Sequence, residues 1–208
     1  VGHFVGHQAM AAVGGNGPVV NLITNLFVGL AVGANVVIAR YVSTNDREQS
    51  QSAVHTVMSV AALSGIFLLF VGIFAARPML LLVDVPEDVM NLAILYLRIY
   101  FLGMPFVMIY NFGAAVLRSV GDSQRPMYSL IAAGIVNVSL SFLLVLGLDL
   151  GVAGVGIATM TGNFVSAGLV VFFLLREDDM IRLNLRKLTI NKKHLLRVIK
   201  IGGPAGMQ

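Results

Sequence analysis

The sequence predicts an all-α, polytopic integral membrane protein, and three observations predict it. Of 208 residues, 57% are hydrophobic and 12% charged, where soluble domains carry about 25% charged residues. Five stretches are apolar or small nearly throughout, each with the ~20 residues that cross ~30 Å of hydrocarbon at 1.5 Å per residue. Between two of them lies LRSVGDSQRPM (117–127), which packs Arg118, Asp122 and Arg125 into eight residues. A water-soluble helical hairpin would show a polar residue at every third or fourth position along such flanks. These flanks do not.

In chain order, residues 1–16 (VGHFVGHQAMAAVGGN) are too short and too Gly-rich to span. They read as the end of one helix and an extracytoplasmic loop. The spans follow at 18–42, 54–76, 92–117, 127–148 and 152–175. In the turn at 117–127, Gly121 has free access to positive φ, and Pro126 suits the first turn of the next helix, where its missing N–H is not needed. LNLRKLTINKKHLLRVIK (183–200) interleaves cations with apolar residues. Asn191 is placed to cap a short helix carrying Leu195, Leu196 and Ile199 on one side, to lie on an anionic leaflet. IKIGGPAGMQ (199–208) reads as the opening of a further span, so the chain is expected to be an internal piece of a longer polypeptide.

Charge orients the spans. The net charge of +4 is not a nucleic-acid patch, because eight of the fourteen Lys and Arg residues fall between positions 176 and 200. Summed over alternate loops, twelve basic residues lie on one side and only Arg77 and Arg98 on the other. The basic side is expected in the cytoplasm, which makes this a multi-pass protein of the plasma membrane, or of the inner membrane in a Gram-negative cell. With no cysteine, the chain says nothing of redox compartment or thiol metal sites. There is no P-loop, HExxH or GxSxG, so no enzyme and no ATP-driven pump is expected. No metal site and no cofactor is expected either.

The turn at 117–127, preceded by YFLGMPFVMIYN (100–111) and followed by IVNVSLSFLL (135–144), resembles the multidrug and toxic compound extrusion (MATE) family. So do VGHFVGHQAMAAVG at the start, GLAVGANVVIARYVS (29–43), GVAGVGIATMTGNFVSAG (151–168) and IGGPAG (201–206), collinearly over almost the whole chain. The resemblance implies half of a twelve-helix transporter with two six-helix bundles. Residues 1–16 would hold the end of helix 1 and a loop, and residues 17–176 helices 2 to 6 of the N-terminal bundle. Residues 177–198 would be a cytoplasmic linker between bundles, and 199–208 the start of helix 7. One departure is Ser43-Thr44, where members often have Gly-Ala. The resemblance further implies a cation site built from an Asp on helix 1, an Asn and an Asp on helix 5, and a Thr on helix 6. Asn137 matches the Asn and Thr159 the Thr. Ser141 stands where some members have the second Asp, and the helix 1 Asp would precede Val1.

Read as residues alone, the polar positions inside the spans admit two uses. Asn137 and Ser141 are four apart, as are Thr159 and Asn163, so each pair shares a helix face. Their neutral oxygens suit a Na⁺ shell or a proton relay if a carboxylate supplies the charge, and suit interhelical hydrogen bonds equally. Asn21, Asn25, Gly29 and Gly33 form one stripe, usable as packing or as a cavity wall. Met104, Met108, Tyr110 and Asn111, with Phe106, crowd the third span, where Met adapts to varied shapes and aromatics hold organic cations. The same cluster serves as packing. His55, second in its span, reads as an interfacial residue, and Arg98 as one whose charge reaches the headgroups.

The expected function is secondary active efflux of organic cations or amphipathic drugs, exchanged for H⁺ or Na⁺ as coupling ion by alternating access. Every Asp and Glu lies in a loop or at a span end, so a titrating carboxylate is expected outside this chain. Expected partners are the drug, membrane lipid and the C-terminal bundle of the same polypeptide, with no nucleic acid. Two rivals are a flippase for lipid-linked oligosaccharides of the same superfamily, which needs cavity cations, and a non-transporting membrane scaffold.

Overall fold

A computed structural model describes residues 17–82, 85–177 and 180–206, with side chains from Thr24 onward except at position 88. The reading of residues 1–16 lies outside the described residues. Seven α-helices follow in order: α1 (Gly17–Ser43), α2 (Arg47–Leu81), α3 (Glu87–Leu102), α4 (Met104–Ser119), α5 (Gln124–Phe142), α6 (Gly151–Arg176) and α7 (Lys192–Gly206). Among the described residues there is no strand. Four helices are long and apolar enough to cross a membrane, and α3 with α4 makes a fifth as one span broken by a 44° bend.

Large apolar side chains face outward in numbers that water would not tolerate. Phe67, Phe70 and Phe74 on α2 are 63%, 53% and 79% exposed, and Ile135 on α5 is 63% exposed. An apolar surface this extensive belongs against lipid. Inside, four hydroxyls are satisfied within their own helices: Thr56, Ser59, Ser129 and Thr161 each donate to the carbonyl four residues back. That local bond removes the penalty of a bare hydroxyl in hydrocarbon.

The centre of the bundle is α4, which packs against α1, α2 and α6. Its stretch from Phe112 to Leu117 is buried on every side. Close packing relies on missing side chains. A Cβ at Gly162 on α6 would sit 2.9 Å from the Ala133 carbonyl oxygen and 3.2 Å from the Asn137 Cβ, and one at Gly33 on α1 would sit 2.5 Å from the Val198 carbonyl oxygen. Such backbone approach is the usual means by which helices associate where lipid offers no hydrophobic drive.

The span at 92–117 is broken into two helices, because Gly103 ends α3 and Pro105 enters α4 without an N–H to donate. The His55 side chain does not reach outward to the headgroups. The α2 helix starts at Arg47, capped by the Asp46 carboxylate accepting the Gln49 N–H at 3.1 Å, so His55 lies two turns in. It is buried there, its Nε2 accepting the Asn184 N–H at 3.1 Å. Finally, Asn191 does cap α7, its Oδ1 accepting the Lys193 N–H at 3.0 Å. The buried face of that helix is His194, Val198 and Gly202, and Leu196 and Ile199 are exposed together on another side.

The turn at 117–127 has the geometry its residues dictate. Gly121 takes φ +84°, and the Asp122 carboxylate accepts the N–H groups of Gln124 and Arg125 at 3.0 and 3.1 Å. Arg125 then pairs with Asp122 and with Glu177 at the end of α6.

Candidate functional site

Among the described residues, two clefts are lined by intramembrane polar side chains. The first lies on the α5–α6 pair. The two helices run antiparallel, with Asn137 against Gly162 and Leu144 against Gly154. Ser141 lies one turn from Asn137 and donates to its Oδ1 at 3.2 Å. Both line a cleft of about 280 Å³ whose other walls are Val138, Phe142, Val145, Leu146 and Val155. Directly beyond them the helix widens into a π turn, Leu143–Gly147, closed by the Leu148 N–H bonding to the Leu143 carbonyl at 3.2 Å. Such single π turns recur at functional positions within helices.

This arrangement offers two amide or hydroxyl oxygens in an otherwise apolar wall. A neutral pair of this kind ligates a cation weakly unless a carboxylate joins it. No cluster of three His, Asp or Glu residues exists among the described residues. Thr159 and Asn163 are not brought onto the cleft. Thr159 donates to its own Val155 carbonyl at 2.9 Å, and the Asn163 backbone carbonyl accepts the Ser166 hydroxyl at 2.9 Å. Val155, one turn from Thr159, is the α6 residue that reaches the cleft.

The second place is a cleft of about 130 Å³ between α1 and α4, with Asn35, Asn111 and Arg118 among its lining residues. Asn35 donates across the interface to the Ala115 carbonyl at 3.1 Å. Asn111 donates within α4 to the Val107 carbonyl at 2.9 Å. Asn35 was missed by reading the sequence, although an Asn in mid-span is itself the signal. Asn25 is exposed on α1 and lines neither cleft, and the Asn21 side chain lies outside those described.

Met104, Met108 and Tyr110 line neither cleft. The two methionines are fully buried in the main core cluster, where they fill space between α4 and its neighbours. Tyr110 is buried as well and donates to the Pro126 carbonyl at 3.2 Å, tying α4 to the first turn of α5. Phe106 meets Phe164 of α6 edge to face at 5.1 Å. Among the described residues the aromatic and Met run packs inside the bundle.

Comparison with known proteins adds the relatives. The MatE family matches residues 1–143. A probable multidrug resistance protein of Bacillus subtilis (strain 168), YoeA, is 29% identical, and the match covers 100% of this chain and 46% of YoeA. The multidrug export protein MepA of Staphylococcus saprophyticus is 25% identical over 87% of this chain and 40% of its own length. A crystal structure of MATE in the bent conformation superposes with a TM-score of 0.91 at 25% identity, covering 99% of this chain and 47% of that one. The chain spans about half the length of the relatives it matches.

Proposed function

The chain belongs to the MatE family, and we propose that it supplies one six-helix bundle of a secondary active exporter for cationic, amphipathic small molecules. The observation that carries this is the Asn137–Ser141 pair, hydrogen-bonded at 3.2 Å and set in an apolar cleft between two membrane-length helices. A polar pair at such a position is retained against its desolvation cost. The names of the relatives support drug efflux: one is a probable multidrug resistance protein and another a multidrug export protein.

The coupling ion is H⁺ or Na⁺, held by Asn137 and Ser141 together with a carboxylate from elsewhere in the bundle. The basic loops face the cytoplasm of a plasma-membrane protein, and a C-terminal bundle of the same polypeptide completes the cavity. Binding of the ion to one access state shifts the population by its differential affinity for that state. Proteoliposomes loaded with a fluorescent organic cation test this reading. Efflux should depend on an imposed pH or Na⁺ gradient; efflux indifferent to both gradients would refute ion-coupled antiport.

A further inference from the structure

The end of the bundle that carries the basic loops holds a third cleft, apart from the two described above. It has a volume of about 610 Å³. One wall is a single face of α2, where Arg47, Gln51 and His55 recur four residues apart; the opposite wall is the loop from Arg182 to Lys187. We propose that this cleft binds a phosphate-bearing anion, and that its source is the headgroup of an acidic lipid.

Four cations line the cleft: Arg47, Arg182, Arg186 and Lys187. Among the described lining residues none is acidic. Arg182, Arg186 and Lys187, gathered on one short loop, raise the potential beside them, and an anion entering the cleft relieves that repulsion. The Arg fork matches phosphate oxygens two at a time, and Lys adds a point charge.

The loop is built rather than slack. Its backbone is fixed at Asn184, whose N–H reaches the buried His55 Nε2 at 3.1 Å. The Asn184 side chain then accepts the Arg186 N–H at 3.1 Å, which shapes the short turn Leu185–Lys187. One residue earlier, the Leu183 N–H bonds to the Leu174 carbonyl at 3.0 Å. The cations are therefore presented on ordered backbone, and less ordering entropy is lost on binding.

Lipid is favoured over free phosphate by the neighbours of the turn. Leu185, Leu188 and Ile190 are 55%, 39% and 44% exposed. Acyl chains would cover these side chains, and inorganic phosphate would not. The inference does not depend on what the protein exports.

The test places the complete polypeptide in nanodiscs and follows lysine acetylation by mass spectrometry, with Lys192 and Lys193 as controls on the same segment. Three conditions are compared: neutral phosphatidylcholine, the same with phosphatidylglycerol, and neutral discs with inorganic phosphate against chloride at matched ionic strength. Phosphatidylglycerol should slow Lys187 about threefold or more relative to the controls, as expected when about two-thirds of the sites are occupied. The double variant R182Q/R186Q should lose that protection with Lys192 and Lys193 unchanged. Protection by inorganic phosphate alone would uphold the anion site and overturn the lipid as its source. Equal change at all three lysines, or protection that survives the double variant, would overturn the site itself.

Discussion

Asn137 and Ser141 show what residue spacing can and cannot reveal. Their separation by four places them on one helix face from the sequence alone, and the 3.2 Å bond between them follows. The same rule paired Thr159 with Asn163, yet α6 turns the Thr159 hydroxyl back to its own Val155 carbonyl. Side-chain rotamer and the packing of neighbouring helices decided the difference, and a segment apolar on all sides carries no record of them. Met104, Met108 and Tyr110 were illegible for that reason. Asn137→Ala should lower gradient-driven efflux in proteoliposomes by about tenfold, the loss of a ligand worth about 1.5 kcal/mol, with protein yield and melting temperature little changed. At the far end of the chain, His194 is fully buried, with Nδ1 3.3 Å from the Tyr41 hydroxyl. Burial, then the charges of Arg197 and Lys193, hold its pKa below the ordinary value. Tyr41 from α1, with Arg197 and Lys193 from its own helix, are the titratable groups around it. A depressed pKa leaves the neutral ring stabilising the fold above about pH 6.5, and that contribution is lost as pH falls below it. Thermal melts between pH 7.5 and 5.5 should therefore fall further for the native protein than for His194→Gln.

At the scale of elements, length and hydropathy located the spans, and local chemistry set their ends. The α2 helix begins seven residues before the apolar run at 54, because Asp46 caps it and its first two turns face the linker instead of lipid. The α3–α4 break was written in LGMP at 102–105, but continuous hydropathy across it concealed the interruption. The π turn at Leu143–Gly147 left no sequence signal, since LLVLG suits an ordinary helix equally well. Packing of α5 on α6 depends on a missing side chain at Gly162. Gly162→Val should push against the Ala133 carbonyl and Asn137, destabilising the protein by about 1–3 kcal/mol. The measurement is a lowered unfolding midpoint in detergent, accompanied by reduced efflux.

For the whole molecule, the distribution of basic residues and the outward-facing Phe67, Phe70, Phe74 and Ile135 act together. One sets the orientation and the other the depth. Single cysteines at Ser123 and Lys192 should resist a membrane-impermeant maleimide in intact cells and react after permeabilisation, whereas a cysteine at Asp149 should react from outside. Labelling of Ser123 or Lys192 in intact cells would invert the topology. The segment from 180 to 206 adds one more consequence. It is fastened to α2 through His55 and Thr56, to α6 through the Leu174 carbonyl, and to α1 through Tyr41 and the strip at Gly33. A strap riveted at so many points does not swing. Displacement of its far end is therefore felt by α1, α2 and α6 through these contacts.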